Sequence, residues 1–129
     1  MTDERKEQLD VSLGRVARAI GYSVDGILAA WHTEAAFRQE AIFAMVLIPV
    51  ACILPVPVLH SALLIGGMLM VMMIELVNSS IEAAIDRTSL EHHPLAKKAK
   101  DTGSAAVLFA VIIVTILWGA VLATWLLKL

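Results

Sequence analysis

Residues 68–87, MLMVMMIELVNSSIEAAIDR, begin as membrane-grade apolar sequence and then place Glu75, Asn78, Glu82 and Asp86 on the same helical run. An α-helix advances about 100° per residue, so Glu82 and Asp86 return to within about 20° of Glu75, with Asn78 about 60° to one side. Seven residues of rise separate Glu75 from Glu82 by about 10 Å along the axis, room for two separate roles. Ionisable groups at membrane depth are costly and face a protein interior or a water-filled cavity. A polar stripe ending a lipid-compatible helix therefore marks a candidate site.

The rest of the chain agrees with a membrane setting. Of 129 residues, 59% are hydrophobic, and the mean hydropathy is +0.80. This composition belongs to an integral membrane protein of a single domain, residues 1–129. The net charge of -2 says less than its placement: charges fall in residues 3–40 and 75–101 and at Lys128. No basic tract points to nucleic acid. The single Cys52 excludes an intrachain disulfide and a cysteine-based metal site. The opening MTDERKEQLD is polar and of mixed sign, unlike a signal peptide.

Working outward, residues 4–29 read as an amphipathic helix. Leu9, Leu13, Val16, Ile20, Val24 and Ile27 form one stripe, and Arg5, Arg15 and Arg18 lie off it. Such a helix rests in the headgroup region or covers the end of a bundle; the two are compatible. Gly26 is expected to end or bend it. A first span covers about 34–54, kinked at Pro49 and ended by Pro55 and Pro57. A second covers about 61–80 and continues as helix to Thr88, with Gly66 and Gly67 permitting close approach. TSLEHHPL, residues 88–95, reads as a loop with Pro94 in the first turn of the next helix. The third span is about 102–127, preceded by Lys97, Lys98, Lys100 and Asp101, and Gly103–Ala106 form a small-residue packing patch. Glu34 and Arg38 fit an ordinary i, i+4 salt bridge on local sequence.

The architecture expected is an all-α membrane protein of three transmembrane helices plus an N-terminal surface helix. Arg and Lys precede span one and lie between spans two and three, while the loop between spans one and two has none. The positive-inside rule then places the N-terminus and the second loop in the cytoplasm and the C-terminus outside. All candidate chemistry falls on the cytoplasmic face. Glu34 and Glu82 suit a hard cation shared with phosphates. Glu75 suits a general base, Asn78 can orient a group and Lys100 can neutralise phosphate oxygens. No GxxxxGK[ST] loop or kinase glycine loop is present. An interfacial phosphotransferase is favoured over a transporter, because only Glu75 lies deep and the third span carries no charge. It is also favoured over a structural subunit whose acids merely pair with Lys100, Arg87 and Arg38.

Four segments carry a resemblance: RAIGYS (18–23), AAWHTEAAFRQE (29–40), MIELVNSSIEAAIDR (73–87) and AKDTGSAAVL (99–108). With their spacing, from about Arg15 to Trp118, the chain resembles the bacterial integral-membrane diacylglycerol kinase family. The resemblance implies a homotrimer in the bacterial inner membrane, with active sites between neighbouring subunits. It implies transfer of the ATP γ-phosphate to the primary hydroxyl of diacylglycerol, with Mg2+ as cofactor. Related Gram-positive members use undecaprenol, and either lipid alcohol would serve the same base.

By motif the resemblance makes Glu75 the catalytic base, supported by Asn78, and Glu34 and Glu82 the ligands that bind Mg2+ with the nucleotide. Arg15, Tyr22, Glu91, His93, Lys100 and Asp101 fall where the family handles ATP. Ala19, Ser23, Ala30, Trp31, Phe37, Arg38, Gln39, Glu40 and Ser104 fall where it handles lipid or shapes its cleft. Asp86 falls to site architecture. Val24, Asp25 and Leu28 replace the Trp, Lys and Arg of the family's surface helix, and Pro94 replaces an acid.

Overall fold

The computed structural model describes the backbone of residues 3–88 and 93–127, with side chains described for 14–88 and 93–127. Four helices make up the described chain: α1 (Asp3–Thr33), α2 (Ala35–Ile53), α3 (Val58–Thr88) and α4 (Pro94–Leu126). The last three are long and apolar enough to cross a membrane. The chain divides into two units, residues 1–33 and 34–129.

In the first unit, α1 runs unbroken through Gly14, Gly21 and Gly26. The expected end or bend near Gly26 does not occur as a break. A glycine costs about 1 kcal/mol in a helix interior, too little to stop a run that Ala29 and Ala30 continue. Thr33 closes the last turn, its hydroxyl donating to the Ala29 carbonyl at 3.0 Å.

The second unit begins at Glu34, whose extended backbone (φ -106, ψ 114) makes it the N-cap of α2. The Glu34 carbonyl accepts from the Arg38 amide at 3.2 Å. The helix continues through Pro49 to Ile53. Pro55 and Pro57 then separate it from α3, as their missing N–H groups require. The Pro57 carbonyl accepts from the amides of His60 and Ser61 at 2.8 and 3.3 Å, so α3 starts at Val58, three residues before the expected 61. It runs to Thr88, as read from the sequence. Pro94 sits in the first turn of α4, and the His93 side chain caps it by accepting from the Leu95 amide at 3.2 Å. The charged 94–101 stretch and the apolar run are therefore one continuous helix.

The core is built around α3, which packs against α2 on one side and α4 on the other. Its buried positions are Leu64, Gly67, Met68, Val71, Glu75 and Asn78, spaced by threes and fours as one stripe. One cluster joins Met68 and Val71 to Ala44 of α2 and Ala110 and Val114 of α4. A second joins Leu64 to Ala51 and Val121. Alanine at 41, 44 and 51 gives α2 a slim buried face, which allows close approach. Other large apolar side chains, such as Phe43, Leu69 and Phe109, are exposed, as lipid contact requires.

Of the two adjacent glycines, Gly67 alone makes the close approach. A Cβ there would lie 3.1 Å from both Leu117 Cδ1 and Val114 Cγ2, whereas one at Gly66 would meet open space. Gly67→Val is expected to lower stability by about 1–3 kcal/mol through overpacking. Denaturation of the micellar protein followed by circular dichroism checks this against Gly66→Val, for which a smaller loss is expected.

Candidate active site

The same stripe of α3 that carries Leu64, Met68 and Val71 carries Glu75 and Asn78 into the core. Glu75 is 4% exposed and Asn78 8%. One and two turns further on, Glu82 is half-buried and Asp86 exposed. The acidic row of the sequence is thus a gradient of burial, deepest at Glu75 and least at Asp86. Position 75 is buried where α3 packs in the bundle, and burial of an ionised carboxylate carries a desolvation cost.

Other acids gather around it. The carboxylates of Glu34 and Glu82 both act electrostatically on Glu75, and Glu75 acts on Glu40. Glu34 and Glu40 come from the N-terminal end of α2, so four carboxylates from two helices converge at one end of the bundle. The Glu40 Oε2, Asn78 Oδ1 and Ser79 Oγ atoms are buried without a hydrogen-bond partner. Asn78 Nδ2 donates to Glu82 Oε1 at 3.2 Å. The amide nitrogen of Asn78 is thus directed to Glu82.

Cations of α4 border this group. Lys100 Nζ donates to Asp86 Oδ1 at 2.6 Å, tying α4 to α3, and it lies in the field of Glu82. Asp101 pairs with Lys97 one turn away on the exposed face of α4, and Ser104 is exposed. The Nδ1 atom of His93 is committed to capping α4. Phe37 is only 1% exposed, so it can shape a cleft from behind but presents little surface to a ligand. Arg38 is half-buried and Gln39 exposed.

On α1, Arg15, Ala19, Tyr22 and Ser23 are exposed, Trp31 is 36% exposed and Ala30 is buried. The Ser23 hydroxyl donates to its own helix at the Ala19 carbonyl, 2.9 Å away. Glu91 lies outside the described residues.

Among the described residues, no three or more His, Cys, Asp or Glu side chains converge to hold a metal by themselves. The donor set at 34 and 82 is two carboxylates. That fits a hard cation such as Mg2+, which is held by one or two carboxylates and completes its shell with phosphate oxygens and water.

Sequence reasoning left Ser79 unassigned, and its hydroxyl is buried without a partner. It named Lys97 and Gly103 without their contacts: Lys97 pairs with Asp101. Gly103 meets Asn78 directly. Its position three residues after Lys100 was the available signal, since that spacing puts both on neighbouring parts of one helical face.

Fold and site together define an integral membrane protein with a carboxylate-rich site at one end of its helical bundle, bordered by lysine. Comparison with known proteins gives the family. The family model described as prokaryotic diacylglycerol kinase matches residues 21–122. The chain is 50% identical over 110 residues to a diacylglycerol kinase of Pseudomonas aeruginosa, covering 85% of this chain and 89% of the relative. It is 47% identical over 104 residues to a diacylglycerol kinase of Escherichia coli K12, covering 81% and 85%. It is 46% identical over 114 residues to a diacylglycerol kinase of Helicobacter pylori 26695, covering 88% and 89%. The chain belongs to the prokaryotic diacylglycerol kinase family, and it is a kinase.

Proposed function

We propose that this chain transfers the γ-phosphate of ATP to the primary hydroxyl of diacylglycerol, giving phosphatidic acid and ADP. The observation that carries this reading is a buried carboxylate, Glu75, at the centre of a cluster of acids in a chain of this family. The exposed apolar side chains of α2 and α3 suit contact with the chains of a lipid alcohol. Glu75 accepts the hydroxyl proton as the new oxygen–phosphorus bond forms and the bond to the ADP leaving oxygen breaks. Glu34 and Glu82 are the residues that would hold Mg2+ with the nucleotide, where it neutralises charge on the phosphates. Asn78 fixes Glu82, and Lys100 passes from Asp86 to phosphate oxygens. By the family motif, Arg15, Tyr22, Glu91, His93 and Asp101 are assigned to nucleotide handling, and Ala19, Ser23, Ala30, Trp31, Phe37, Arg38, Gln39, Glu40 and Ser104 to the lipid.

The placement of Arg and Lys supports a cytoplasmic setting for this end of the bundle at the bacterial inner membrane, with the C-terminus outside. Three spans enclose little volume, which supports sites completed by neighbouring subunits of a homotrimer.

The test measures ADP release by purified protein in mixed micelles with Mg-ATP, with no lipid, with diacylglycerol and with undecaprenol. Release that depends on diacylglycerol is the expected result. Release with undecaprenol alone keeps the chemistry and replaces the acceptor. Absence of lipid-dependent release from folded protein overturns the reading.

A further inference from the structure

We infer that Gly103 of α4 is a positioning residue for Glu82, acting through the side-chain amide of Asn78. A Cβ built at Gly103 would lie 2.2 Å from Asn78 Oδ1 and 3.3 Å from Asn78 Cγ. The glycine hydrogen that occupies this direction therefore points at Oδ1, a Cα–H···O contact that recurs where helices approach closely. Oδ1 is otherwise buried without a hydrogen-bond partner, so this contact is what receives it. The amide is planar. Fixing its oxygen against α4 fixes its nitrogen, and Nδ2 donates to Glu82 Oε1 at 3.2 Å. Asn78 itself is 8% exposed, so its amide lies within the core rather than in the open. The backbone of α4 thus orients a carboxylate of α3, in the manner of groups that lie behind metal ligands.

Any side chain at 103 breaks this chain of contacts. The obstructing atom is the far end of a side chain, so the cheapest adjustment swings the amide of Asn78 away and releases Glu82. The consequence for nucleotide use rests on the proposed role of Glu82, whereas the contact itself does not.

The experiment is a double-mutant cycle on the full chain in mixed micelles, with Gly103→Ala, Asn78→Ala and both together. Gly103→Ala is expected to raise the KM for Mg-ATP about tenfold, with a smaller change in kcat. Asn78→Ala should match it, and the double variant should be no worse than Asn78→Ala alone, because alanine at 78 removes both the clash and the amide. An unchanged KM in Gly103→Ala, or effects that multiply in the double variant, overturns the inference. The ¹H–¹⁵N resonances of the Asn78 side-chain amide supply a readout independent of turnover. They should shift in Gly103→Ala, and unshifted resonances overturn the contact even if the parent chain shows no lipid-dependent ADP release and the kinase chemistry itself fails. Should Gly103→Ala not fold, the double variant, lacking the obstruction, should fold. Failure of both to fold overturns the inference by giving Gly103 a role without Asn78.

Discussion

Glu75→Gln is expected to lower diacylglycerol-dependent ADP release by about 10²–10⁴-fold, the contribution of a positioned general base, while leaving the protein folded. Glutamine keeps the volume of glutamate, so the stripe through Leu64, Met68 and Val71 still packs against α2 and α4. It cannot accept the hydroxyl proton. It also removes an ionisable group from a site that is 4% exposed, where a charge carries a desolvation cost. The thermal midpoint is therefore expected to hold or rise. The ADP assay and a circular dichroism melt on the same preparation check both halves. Turnover retained at the parent level would move proton transfer to another group. The first candidate is Glu40, which lies in the field of Glu75 and has a buried carboxylate oxygen without a partner.

Glu82→Ala is expected to act on the other substrate. The KM for Mg-ATP should rise about 10- to 100-fold, as losses around a metal ligand do, with a smaller fall in kcat at saturating Mg2+. Alanine removes one carboxylate of the proposed Mg2+ pair. It also leaves the Asn78 amide without its acceptor and takes away the nearby negative charge that Lys100 feels. The deep carboxylate at Glu75 and the packing beneath it remain. Titrating Mg2+ and Mg-ATP separately distinguishes the outcomes. An unchanged metal requirement would sink the assignment of Glu82, whereas a pure loss of kcat would place Glu82 with the proton-transfer group.

Much of this was legible without coordinates, for identifiable reasons. The charge-free runs 41–74 and 102–127 exceed what a soluble helix carries, so three spans follow from length and hydropathy. Proline placed two boundaries correctly: Pro55 and Pro57 separate α2 from α3, and Pro94 opens α4. Glycine was the weaker guide. Gly26 did not stop α1, and of Gly66 and Gly67 the sequence could not say which meets a neighbour. Propensity is a local cost of about 1 kcal/mol, and a continuous helix outweighs it.

For the site, period alone aligned Glu75, Glu82 and Asp86 and set Asn78 aside. Burial cuts across that alignment, enclosing Glu75 and Asn78 and leaving Asp86 exposed. Azimuth on one helix says where a side chain points, and says nothing of what stands opposite. The partners of Asn78 show the same limit. Glu82 lies four residues away and is reachable by local geometry, but Gly103 lies on another helix.

The sequence by itself determined the number of spans, their charge asymmetry, the residue types of the site and the resemblance that led to the family, because each depends on composition, period and motif. Tertiary structure alone decided which carboxylate is most deeply buried and that Lys100 bridges to Asp86. It alone also decided that Asn78 lies between Glu82 and a bare glycine Cα. These depend on how closely α2 and α4 approach α3, a distance set by side chains remote in sequence that meet only when the core packs.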